Sequence, residues 1–129
     1  MLPAGCGGPD RGPSVNAAVS YFEALGITEV VEAPIYGGIL SRFCAVRLRA
    51  AIAASVIVNL VSHPLFSFVI VPLADRGLSP TVAVMVGEVA VCVIEAGLLF
   101  AWLRRELPLL VVASLVANAC SFSVGLALL

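Results

Sequence analysis

The sequence predicts an all-α integral membrane protein, a four-helix transmembrane bundle built from two tandem helical hairpins. Three observations carry that expectation: the composition, the length and number of the apolar runs, and a correspondence between two parts of the chain. Of 129 residues, 61% are hydrophobic and 12% charged, with a mean hydropathy of +1.13; a soluble domain is roughly a quarter charged. So little charge cannot cover a water-facing surface, and a bilayer is the natural solvent. All seven basic residues are arginine, and the net charge of −1 leaves no basic surface for nucleic acid.

Residues 1–15 are rich in Gly and Pro and read as a disordered segment preceding a single helical domain at 16–129. The opening "MLPAGCGG" superficially resembles a lipoprotein cleavage box at Cys6. No charged and apolar leader precedes it, so neither lipidation nor a signal peptide is expected. The first candidate helix, about 17–40, is interrupted by Glu23, Glu29 and Glu32, each costing about 2.5–3.5 kcal/mol if held at the bilayer centre. On hydropathy alone it is interfacial, which gives the alternative of three spans plus an interfacial N-terminal segment. Three later runs, 50–73, 81–103 and 107–129, meet the length of about 20 apolar residues that a span requires.

An internal correspondence favours four spans. Val30-Val31-Glu32-Ala33 aligns with Val93-Ile94-Glu95-Ala96, and Leu40 and Arg42 then fall on Leu103 and Arg105. The following runs align at an offset four residues shorter: "ASVIVN" (54–59) lies over "ASLVAN" (113–118), and Ser62 over Ser121. The chain thus reads as a duplicated hairpin, with repeats at about 17–73 and 81–129, and 17–40 becomes a span like 81–103. Arg42, Arg47, Arg49, Arg104 and Arg105 cluster at the two hairpin turns. The positive-inside rule then places the turns in the cytoplasm and both termini outside a cell membrane.

Polar residues inside apolar helices point to function, because ionisable groups in a bilayer are costly and face the bundle interior. Glu88 and Glu95 share a helix face, as do Asn59 and His63, and Asn118 repeats Asn59. Glu32, Glu95, Glu88, His63, Asn59 and Asn118 are therefore expected to form an ion or proton site, with His63 the group titrating nearest neutrality. Serine and asparagine also serve as interhelical glue, and this competing role is expected first for the asparagines. Glu23, Glu29 and Glu106 read as interfacial. Ala113, Ala117, Ser121 and Gly125 form a small-residue stripe expected to pack against another helix. Cys92 and Cys120 read as apolar packing, while Pro34, Pro64 and Pro72 predict bends.

No phosphate loop, nucleophile motif or metal-ligand spacing is present in the sequence, so neither a cofactor nor a metal is expected. The resulting expectation is proton or cation translocation through the polar centre. Four spans enclose little space, so a homo-oligomer or larger membrane complex is the expected setting. A structural or accessory membrane subunit is the rival reading, and a membrane-embedded enzyme the least favoured.

Overall fold

The computed structural model describes residues 15–74 and 76–128. The expected disordered segment and Cys6 lie outside them, apart from Val15, which opens the first helix. The described elements are helical: α1 Val15–Phe43, α2 Leu48–Leu65, a π-helical turn Phe66–Ile70, α3 Val71–Ala74, α4 Pro80–Leu103 and α5 Leu107–Leu128. Leu48–Leu73, Pro80–Leu103 and Leu107–Leu128 are long and apolar enough to cross a membrane, and a helix suits that role because it satisfies its own backbone. The 29-residue α1 is longer than any of these but is not among them.

Local chemistry sets the helix boundaries. Ser79 caps α4 by accepting a hydrogen bond from the Val82 N–H, and Pro80 opens the helix where no intrahelical N–H bond is needed. α1 and α4 are each followed by a non-glycine residue of positive φ, Ala45 (φ 52°) two residues past the end of α1 and Arg104 (φ 51°) directly after α4. The N–H groups of Cys44 and Val46 then return to the Leu40 carbonyl, and that of Arg104 to Phe100, satisfying carbonyls that a helix end leaves open. Pro64 lacks the N–H that would continue the α-helical ladder. The backbone widens into the π turn immediately after it, and Phe66 donates to the Ser62 and His63 carbonyls. That widening aims the Phe66 ring at Gly87 of α4, where an added Cβ would collide with Phe66 Cε2.

The helices pack in a ring: α1 touches α2 and α5, and α4 touches α5 and α2. Tyr36, Leu40, Ala51, Ala54, Leu99, Leu110 and Ala113 form an apolar core toward the two turns. Those turns share one end of the molecule, because Cys44 lies within electrostatic reach of Arg105 and Glu106. Burial pushes the Cys44 thiol above its ordinary range, Arg105 opposes the shift and Glu106 adds to it. The outer surface is apolar instead of charged: Val30, Phe68 and Leu126 are 77%, 70% and 70% exposed, whereas Glu32 and Glu95 are buried. This inversion of polarity is what a lipid solvent selects.

α2 and α5 bury matching positions. Ala51, Ala54, Ser55, Val58, Asn59 and Ser62 are buried in α2, and Leu110, Ala113, Ser114, Ala117, Asn118 and Ser121 in α5, each pair 59 residues apart. Ala45 and Arg104 keep the same spacing. Arg42 and Arg105, aligned in the sequence, differ in local structure: Arg42 lies in the last turn of α1, while Arg105 follows the left-handed Arg104 that caps α4. Between its acid and the next helix the first half is four residues longer: three of them extend α1 (Glu32 to Phe43 against Glu95 to Leu103) and one lengthens the turn.

Candidate functional site

Between the helices lies a partly open cavity of about 410 Å³. Glu32, Glu88, Glu95, His63, Asn59 and Asn118 all line it. Four helices supply these residues, so the sequence-predicted set is brought together by tertiary packing. Glu32, Asn59, Glu95 and Asn118 are its most buried members, while Glu88 and His63 are half-buried. The apolar core seals the side toward the arginine-bearing turns.

The two central acids have different surroundings. Glu95 is enclosed by donors from three other helices. Tyr36 Oη of α1 donates to its Oε2 at 2.7 Å, and Ser62 Oγ of α2 donates to Oε1 at 2.8 Å. From α5, Ser114 Oγ lies 3.1 Å from Oε2, and Asn118 Nδ2 donates to the same oxygen. Ser114 is also 3.1 Å from the Cys92 carbonyl, and its single proton serves one acceptor at a time. Glu32 has less support. Ser121 Oγ donates to its Oε1, and Oε2 has no partner among the described residues.

Asn59 and Asn118 also diverge. Asn118 is bound to Glu95 and to the Ser114 carbonyl. Asn59 is 1% exposed, lies close to Glu29 and Glu32, and completes no hydrogen bond among the described residues through either amide atom. A buried polar group without a partner costs about 1–3 kcal/mol, so an occupant that engaged it would be favoured. His63 stacks edge-to-face on Tyr21, ring centroids 5.0 Å apart, and its Nδ1 has no partner among the described residues. No hydrogen bond links it to an acid among those residues.

Sequence reasoning assigned Tyr36 no role, although it lies four residues after Glu32 and so on the same helical face; that spacing was the available signal. Glu29, expected at the interface, has both carboxyl oxygens buried without a partner among the described residues. Of the small-residue stripe, Ala113, Ala117 and Ser121 are buried in packing, whereas Gly125 lines the cavity and a Cβ there would meet nothing within 4 Å. Cys92 is buried and Cys120 faces outward.

No family model matches this chain, and no curated protein or solved structure is significantly similar to it. Function therefore rests on the site. Chemically, the cavity offers three acids, one imidazole, an amide free to donate and accept, and no arginine or lysine side chain in its lining. Among the described residues, no group of three or more His, Cys, Asp or Glu converges as a metal shell. The arrangement favours a single positive charge over an anion.

Proposed function

We propose that this chain is a small polytopic membrane protein that moves a proton or monovalent cation through the centre around Glu32. The observation that carries this reading is Glu32 itself: a fully buried acid with one oxygen unpartnered among the described residues, beside the unpartnered amide of Asn59, in a cavity lined by no arginine or lysine. Buried acids of this kind mark ion and proton paths in membranes.

The reading places four spans in two tandem hairpins. Tyr36 of α1 bonds to Glu95 within α4, so if α4 crosses the bilayer, that part of α1 lies within it too. The strongly exposed Val30 then faces lipid. The duplication is supported by the matched burial of α2 and α5 and by a serine exchange: Ser62 binds Glu95 and Ser121 binds Glu32, each serine serving the acid of the other hairpin. The turns lie in the cytoplasm and the termini outside, with the cavity opening away from the turns. Because the cavity is sealed on one side, passage requires helix movement or a neighbouring copy.

The test is flux into proteoliposomes driven by a pH gradient or a cation gradient. Wild type should exceed empty liposomes, and Glu32→Gln should fold yet lose the flux, since glutamine keeps the acceptor for Ser121 but has no titratable proton or charge. Wild-type vesicles no leakier than empty ones, or Glu32→Gln as active as wild type, would overturn translocation. The accessory-subunit reading would then stand, and the enclosure of Glu95 favours it: four neutral donors on three helices make that acid a structural tie.

A further inference from the structure

We infer that the cavity is a binding site for a primary alkyl- or arylalkyl-ammonium ion. The ammonium donates to Glu32 Oε2 and Asn59 Oδ1, and the apolar body lies among Ile27, Phe66, Val91 and Phe122. The inference deepens the reading of Glu32 as a cation-binding acid and rests on it.

Size, wall chemistry and donor balance converge on this class. A volume of about 410 Å³ falls within the roughly 300–1,000 Å³ of small-molecule sites, and a bare inorganic ion would leave most of it empty. Beyond the polar floor the walls are largely aliphatic and aromatic, with Phe66 and Phe122 on opposite helices of the ring, so a hydrated ion would lose water contacts that these walls cannot replace. The floor carries the charge. Glu32 and Glu95 are within Coulombic reach of each other, and Glu88 adds a third acid to the lining, so a cation is attracted and an anion repelled.

Two neighbouring buried acceptors lack a completed hydrogen bond. Glu32 Oε2 and Asn59 Oδ1 are buried, unpartnered among the described residues, and belong to cavity-lining side chains on different helices. A primary ammonium has three N–H donors and can serve both acceptors at once. A quaternary ammonium has none, and a neutral alcohol has one donor and no charge. A lipid ethanolamine headgroup and a free amine share the ammonium. The lipid would also bring a phosphate, for which the cavity lining holds no arginine.

The test uses the full chain in phosphatidylcholine nanodiscs, with phenethylammonium as probe in calorimetric titration. One-to-one saturable binding is expected. Glu32→Gln should weaken it at least tenfold, and 2-phenylethanol, of nearly the same shape but neutral, should bind at least tenfold more weakly than the ammonium. Gly125→Leu fills the cavity without touching the acids, at a position with free space for a side chain; it too should abolish binding, which keeps the inference testable if Glu32→Gln fails to fold. Repeating the titration with phosphatidylethanolamine in the disc separates the sources. A fall in apparent affinity assigns the site to the lipid headgroup, and an unchanged value to a soluble amine.

No saturable binding by wild type, equal affinity for the alcohol, or full affinity in Gly125→Leu would overturn the inference. Proton flux that depends on Glu32 without ammonium binding would overturn this inference alone. Ammonium binding without flux would overturn translocation alone.

Discussion

At the scale of single residues, identical side chains at corresponding positions do different work. Ser55 and Ser114 are both fully buried and 59 residues apart. Ser114 reaches Glu95 and the Cys92 carbonyl, whereas the Ser55 hydroxyl has no partner among the described residues. Removing a bonded hydroxyl forfeits its interhelical hydrogen bond, and removing an unpartnered one relieves a desolvation penalty. Ser114→Ala should therefore destabilise the protein by about 1 kcal/mol, the scale of polar contacts between membrane helices. Ser55→Ala should be neutral or slightly stabilising. Reversible unfolding in mixed micelles measures both, and equal losses would mean that Ser55 has a partner. Glu95→Gln follows the same logic: it turns an amide donor toward Tyr36, Ser114 and Asn118, or toward Ser62. It should therefore lose about 1–3 kcal/mol, more than Glu32→Gln, whose amide oxygen still accepts from Ser121, in the same unfolding measurement.

At the scale of elements, the π turn after Pro64 links a backbone irregularity to packing. An α-helix cannot continue its hydrogen-bond ladder through proline, and the widened turn presents Phe66 to α4 where only glycine leaves room. Gly87→Ala should force the ring aside and cost about 1–3 kcal/mol, the range for overpacking. Shortening the facing residue, Phe66→Leu, should recover most of that loss in the double variant. Additive losses in a double-mutant cycle would show that the ring and Gly87 are not in contact. Because Phe66 also lines the cavity, the same irregular turn that relieves Pro64 shapes the proposed ligand wall.

At the scale of the whole molecule, polarity is inverted, with acids and amides at the centre and branched apolar side chains outside. In water such a surface would aggregate; in lipid it is the stable arrangement. In the proposed topology the grouped arginines set orientation. A periplasmic-type reporter fused after Leu129 should be active, and one inserted in the 42–49 turn inactive. Activity at both places would remove α1 from the membrane and restore three spans. It would also leave the Tyr36–Glu95 bond without the depth argument built on it.

Much of this was legible in the sequence because it depends on composition and period alone. Charge too sparse for water, three runs long enough to cross, and acids at matching places in apolar helices all follow from residue type and spacing. The six polar residues now found around one cavity were recognisable for the same reason: each is costly in an apolar helix unless it faces inward. What the sequence could not reveal was how hydrogen bonds are divided among them. Glu32 and Glu95 look equivalent along the chain, yet Tyr36 stands where the second half has Leu99, and that one hydroxyl helps enclose Glu95 while Glu32 keeps a free oxygen. The four-residue change of offset was visible as a number, but only the structure divides it into three residues of α1 and one of the following turn. Spacing along a helix determines which face a side chain shares. Which donor it meets depends on the neighbouring helices, and only the tertiary structure decides that.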